Sequence, residues 1–116
     1  MRLWAASAEF PLMISHNDCH TRNLFINHRD ESELIAVDWA SVGLTPAGVD
    51  GGSLITSGLT WGREEARLVV DVEQQTFDSY YEGLVEAGWQ RPRDQVRLVF
   101  LTMAATYANQ MIGVVY

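Results

Sequence analysis

A histidine, two aspartates and an asparagine carry the chemistry legible in this chain. His16, Asp18 and Asn23 form the pattern H-x-D-x-x-x-x-N within Ile14-Ser-His-Asn-Asp-Cys-His-Thr-Arg-Asn-Leu-Phe-Ile26, between two short apolar runs. A further carboxylate, Asp38, stands 15 residues after Asn23, at the end of the apolar run Leu34-Ile-Ala-Val-Asp-Trp39. Magnesium takes hard oxygen ligands from few protein groups and leaves its other positions to water and phosphate. The Asn23 amide oxygen and the Asp38 carboxylate supply such a half-shell. Asp18, on the same loop, suits a base that takes the proton of an incoming hydroxyl. Phosphoryl transfer asks a protein for this combination of positioning and charge neutralisation.

Other chemistries fit less well. His16, Cys19 and His20 offer zinc-type ligands, but they crowd within five residues, and the only other histidine, His28, is on the far side of a strand. Adjacent residues such as Cys19 and His20 rarely present both side chains to one reacting atom, which weighs against a thiol nucleophile. Cys19 is the sole cysteine, so an internal disulfide is excluded and a reducing, cytoplasmic setting is expected. All eight basic residues are arginine, so no Schiff base or phosphate-anchoring ammonium comes from this chain. The net charge of −7, from 15 acids and 8 bases, argues against a nucleic-acid binder and favours cationic partners or metal ions.

The elements that must position these groups follow from pattern. At 116 residues, 47% hydrophobic and 20% charged, the chain has room for one domain. Leu12 to Ser15, Asn23 to Ile26 and Leu34 to Trp39 are short apolar runs, and the polar stretch Asn27 to Glu33 reads as a hairpin connection. After residue 60 the pattern turns helical. Ala66, Val70, Phe77, Tyr81 and Leu84 share one face of a helix expected from about Arg63 to Ala87 and ended by Gly88. Pro92 and Asp94 favour a new helix start, and from Val96 the chain reads helical to its end. Leu98 to Tyr116 carries no charge, and its length admits a membrane span. Thr102, Thr106, Asn109 and Gln110 interrupt that stretch and no basic cluster follows, so a buried core helix is the better reading. Such a helix needs neighbours on several sides. Few elements are available, so the chain looks like a fragment that requires a further lobe or an oligomer partner to cover it. The N-terminal run is too short, and too interrupted by Glu9, for a signal peptide.

The loop and the Asp38 segment together resemble the C-terminal lobe of the aminoglycoside phosphotransferase and choline kinase superfamily, whose fold is kinase-like. His16, Asp18, His20 and Asn23 match its H-G-D-x-H-x-x-N loop, and Val37-Asp38-Trp39 with Gly43 match its I-D-W-x-x-x-G metal segment. Asp50 stands where the family carries a second aspartate. Phe77 to Gly88 resembles the helix that follows, and the likeness runs from about Pro11 to Tyr107. Asn17 replaces the usual glycine, as in choline-kinase-like members, and Thr21 and Arg22 replace a common proline and glycine.

The resemblance implies an α+β fold: a short β-hairpin segment carrying the catalytic loop, then a mainly helical region. The 1–116 chain would be one partial domain without the nucleotide-binding lobe. It implies transfer of the γ-phosphoryl group of ATP to a hydroxyl of an aminoglycoside-like or amino-alcohol substrate, with Asp18 as base and Asn23 and Asp38 holding Mg2+. His16 and Asp50 would brace the loop. His20 is open between a substrate or phosphate contact and packing. Asp71, Asp78, Glu82 and Glu86 share a helical face that by default is merely solvated. In aminoglycoside-modifying relatives acidic helices bind the acceptor, so Asp78 and Glu82 are weaker candidates for a cationic substrate. Tyr80, Tyr81 and Trp89 read as core. The isolated chain is expected to be inactive. The competing reading is a non-catalytic kinase-like remnant that acts as a protein-interaction module.

Overall fold

The punctuated apolar runs before residue 50 become four short strands in a computed structural model that describes residues 10–60 and 69–114. β1 (Leu12–Ser15) pairs antiparallel with β4 (Gly43–Pro46), Ser15 facing Gly43. β2 (Leu24–Asn27) pairs antiparallel with β3 (Asp30–Ala36), Leu24 facing Ala36. The hairpin connection read within Asn27 to Glu33 thus joins β2 to β3, while residues 16–23 form no hairpin turn. They cross from one small sheet to the other, ahead of the β2–β3 hairpin. A 3₁₀ turn at Trp39–Ser41 leads from β3 back to β4.

Three helices follow: α1 (Val49–Thr60), α2 (Val69–Glu86) and α3 (Arg93–Val114). The sequence reading placed no helix at α1. With Gly51, Gly52, Ser53, Thr56, Ser57 and Gly58, its propensity is poor. Packing overrides it. A side chain at Gly52 would collide with the Phe100 carbonyl and stand 2.9 Å from Met103 Cβ, so glycine lets α1 lie directly on α3. The Thr56 hydroxyl is within hydrogen-bonding distance of the Gly52 and Ala104 carbonyls, at 3.2 and 3.0 Å, which ties the two helices together.

The core forms where these helices meet. Phe100 is fully buried and sits edge-on to Phe77, ring centroids 5.2 Å apart, with Ala47, Ile55 and Val96 around them. Tyr80, Tyr81, Leu84 and Trp89 pack against this cluster, while Val49, Val99 and Met103 form a second one. The Tyr80 hydroxyl accepts the Gly48 N–H at 3.0 Å and lies 3.9 Å from the Met13 sulfur, so one side chain of α2 meets both β1 and the start of α1. Burial pushes its pKa up to about 12.

The helical readings need two corrections. The helix expected from Arg63 is described from Val69, and Ala66 lies outside the described residues. Val70, placed on the apolar face, is 72% exposed, because nothing among the described residues covers the first turn of α2. One turn later Glu73 pairs with Arg97. Further along, Phe77 is buried, and Gly88, at φ 93°, closes the helix with Gly88 N–H to the Val85 carbonyl and Trp89 N–H to the Leu84 carbonyl, both 2.9 Å. α3 is apolar around its circumference but covered on one side: Val96, Val99, Phe100 and Met103 are buried while Leu98 and Leu101 are exposed. Among the described residues no helix is long and apolar enough to cross a membrane.

Gly52→Ala should lower stability by about 1–3 kcal/mol, the usual cost of overpacking. Gly83→Ala, in α2 with open space around the new methyl, should raise it by roughly 0.5–1 kcal/mol through helix propensity. Urea unfolding of the two variants checks the contrast; equal effects would mean that α1 does not rest on α3 at Gly52.

Candidate active site

The loop after β1 is shaped by one carboxylate. Asp50, in the first turn of α1, accepts the His16 N–H on one oxygen at 2.8 Å and the Asn17 N–H on the other at 2.9 Å. Drawing both amides toward one group bends the chain so that Asn17 takes a left-handed conformation, φ 62°. Asparagine enters that region more readily than most residues with a side chain, and glycine does so freely. The conformation accounts for glycine as the common residue at this position in the matched motif.

His16 is buried and links the two halves of the site. Its Nδ1 accepts the Asp18 N–H at 3.3 Å, so the proton sits on Nε2, which donates to the Val37 carbonyl at 2.8 Å. The Trp39 ring lies against the imidazole, centroids 4.6 Å apart. Asn23 makes the second link. Its Nδ2 donates to the Asp18 carbonyl at 3.1 Å and to the Asp18 carboxylate at 3.2 Å, and its main-chain carbonyl accepts the Val37 N–H at 3.0 Å. Hairpin pairing explains the 15-residue spacing. With Leu24 opposite Ala36, the residue before β2 must meet the residue after β3.

Asp38 does not close a strand, as its apolar run suggested. β3 ends at Ala36, and Asp38 is left-handed, φ 62°, at the start of the 3₁₀ turn. Its carboxylate is exposed and makes no capping bond. The structure thus brings His16, Asp18, Asn23, Asp50 and the main chain of Val37, next to Asp38, into one network. His20 joins at the edge, its Nε2 3.5 Å from a half-exposed Asp18 oxygen. Asp78 and Glu82 are placed apart from it. Asp78 pairs with Arg93 and receives a bond from Gln74 at 2.8 Å, and Glu82 is exposed. A cleft of about 480 Å³ beside the loop is lined by Cys19, Leu24, Leu54 and Tyr80, and on α2 by Gln75 and Ser79 rather than by either acid.

Cys19 is held as a thiol. Burial, with Asp50 and then Asp18 nearby, pushes its pKa up to about 12, which disfavours both a nucleophile and a zinc thiolate. Among the described residues no group of three His, Cys, Asp or Glu side chains is placed to hold a metal ion. Asn23, an amide, falls outside the residue types of such a group. Sequence reasoning overlooked Asn17, whose side-chain amide donates to the Ser41 carbonyl at 3.1 Å, and Tyr80, treated only as core. The glycine expected at position 17 was the available signal for a left-handed residue there.

The folded chain keeps the Cys19 proton to a higher pH than the unfolded chain does, so ionisation favours unfolding and this contribution declines as pH rises from about 9 toward 12. At pH 8 the native thiolate fraction should be on the order of a thousandfold below that of the unfolded chain, and the greater nucleophilicity of the more basic thiolate recovers roughly thirtyfold. Iodoacetamide should therefore alkylate native Cys19 about thirtyfold more slowly than the urea-unfolded chain. Similar rates would show an open, ionisable thiol.

In comparison with known proteins, the model of the phosphotransferase enzyme family matches residues 1–94, a span that holds the loop, the Asp38 segment, Asp50 and α2. No curated protein and no solved structure matches the chain. With a family match over most of its length and the motif residues of the loop joined in one network, the chain belongs to the phosphotransferase enzyme family.

Proposed function

We propose that this chain is the catalytic-loop lobe of an ATP-dependent small-molecule kinase that transfers the γ-phosphoryl group to a hydroxyl of an aminoglycoside-like or amino-alcohol acceptor. The observation that carries the reading is the Asn23–Asp18 pair. The Asn23 Nδ2 spends its hydrogens on Asp18, so among the described residues its amide oxygen stays unbonded, and its main chain holds Val37, the residue before Asp38, whose exposed carboxylate makes no capping bond. These two hard oxygen donors suit a magnesium ion that keeps the rest of its shell for water and phosphate. When bound, such an ion neutralises phosphate charge.

The chain's own groups do the remaining work. Asp18 is half exposed, is held by Asn23, and takes the proton of the acceptor hydroxyl. His16 keeps Asp18 and Val37, and thus Asp38, at a set separation through its two ring nitrogens. His20 lies within reach of whatever Asp18 touches. A cationic acceptor suits a chain of net charge −7. Of the two acidic candidates, Asp78 is already paired with Arg93, and Glu82 is exposed and outside the cleft lining.

The exposed aliphatic surface of the strands, including Ile14, Leu44, Ile26 and Leu34, supports a need for a covering lobe, the one that holds the nucleotide. A lone thiol suits a cytoplasmic setting. The test is ATP turnover, with a panel of amino sugars and amino alcohols, by a protein in which this chain is extended by its upstream coding sequence. Asp18→Ala should lower turnover by roughly 10²- to 10⁴-fold, the scale of general-base contributions. Equal turnover in the two proteins would remove Asp18 from the chemistry.

A further inference from the structure

We infer that Asn17 is a positioning residue, and that its side-chain amide tethers the segment carrying Asp38 to the catalytic loop. Its backbone N–H is bound to Asp50 and its side chain reaches across 24 residues to the Ser41 carbonyl. Asp38 lies between two anchored points. On its N-terminal side, Val37 is held through its carbonyl by His16 and through its N–H by Asn23. On its C-terminal side, the 3₁₀ turn is closed by Val42 N–H to the Trp39 carbonyl at 3.1 Å, and Asn17 Nδ2 seizes the last residue of that turn. Asp38 itself is exposed, left-handed and without a capping bond, so its placement depends on these neighbours.

A glycine at position 17 would adopt the same left-handed backbone without strain but would supply no donor. Asparagine supplies the conformation and the tether together. Gly43 records the fit from the other side: a Cβ there would stand 3.1 Å from Asn17 Nδ2, closer than ordinary contact, so the amide occupies the space above that glycine.

The inference rests on the proposed phosphotransfer reading for its use, though the tether can be tested apart from it. Asn17→Gly preserves the backbone conformation and removes the donor. Hydrogen exchange of the Val42 amide followed by NMR should accelerate about threefold to tenfold in this variant, the range expected for losing one net hydrogen bond, with α3 amides unchanged. In the unsubstituted chain the Asn17 side-chain NH2 should exchange more slowly than a free amide, a measurement that decides the matter even where the variant misfolds. Mn2+ titration followed by water proton relaxation should show affinity falling by a similar factor in Asn17→Gly and by more in Asp38→Asn.

Val42 exchange unchanged by the substitution, or a freely exchanging Asn17 amide, would overturn the tether. A Val42 change with no Asp38-dependent Mn2+ binding in the unsubstituted chain would instead overturn the metal reading while the tether stands.

Discussion

The carboxylate of Asp50 receives one backbone N–H on each oxygen, from His16 and Asn17, and through that pair of bonds the packing of a helix becomes the shape of a loop. Asp50 sits in the first turn of α1, where the helix dipole favours a negative group. Its position is therefore that of α1 itself, which rests on α3 through Gly52 and is bonded at its approach by the Tyr80 hydroxyl. A shift of α1 by a fraction of an ångström would be felt at both amides, and so at Asp18. Core and site are not separable in this chain. Phe100, Phe77 and Tyr80 are packing residues whose consequence is the geometry of the loop bonded to the start of α1.

From that anchor the site is assembled by bonds to backbone rather than by contacts among reactive groups. His16 spends both ring nitrogens on the main chain, one on Asp18 and one on Val37, and Asn23 ties the same two segments a second time. Two non-glycine residues are left-handed among the described residues, Asn17 and Asp38, and both belong to this assembly. Such conformations cost on the order of 1 kcal/mol each, less for Asn and Asp than for other side chains, and the converging hydrogen bonds offset the cost. The Asp18 and Asp38 carboxylates are left with open faces. Rigid backbone beneath and exposed oxygens above is the arrangement that electrostatic work on a phosphate demands.

Elsewhere the chain leaves apolar surface unsatisfied. The strands expose Ile14, Leu44, Ile26 and Leu34, and α3 exposes Leu98 and Leu101 opposite its buried side. Against the covered side the cations are used differently. Arg97 pairs with Glu73 and lies 4.5 Å from the Phe77 ring centroid, and Arg93 pairs with Asp78 and lies 4.9 Å from the same centroid. This arrangement explains why the acidic stripe of α2 is not a uniform binding wall. Asp78 helps to hold α2 to the start of α3, whereas Asp71, Glu82 and Glu86 face solvent.

Much of the site was legible before any fold was known, because its parts are local. An eight-residue loop between apolar runs and a carboxylate after a hairpin are patterns that a linear reading detects, and hairpin pairing then forces residues 23 and 37 together. The loss of a helix at Gly88 was legible for the same reason. Three things were not. The sequence from Val49 to Thr60 is rich in glycine, serine and threonine, and packing against α3 and α2 makes it a helix. Val70 has the right spacing for a buried face, yet burial requires a neighbour, and none of the described residues covers that turn. The left-handed turns at Asn17 and Asp38, and the bond from Asn17 to Ser41, arise from groups dozens of residues apart. Residue types and short spacings thus determined which atoms could do chemistry. Long-range packing and hydrogen bonding decided where those atoms point, since conformations of unfavourable local energy persist only when distant partners hold them.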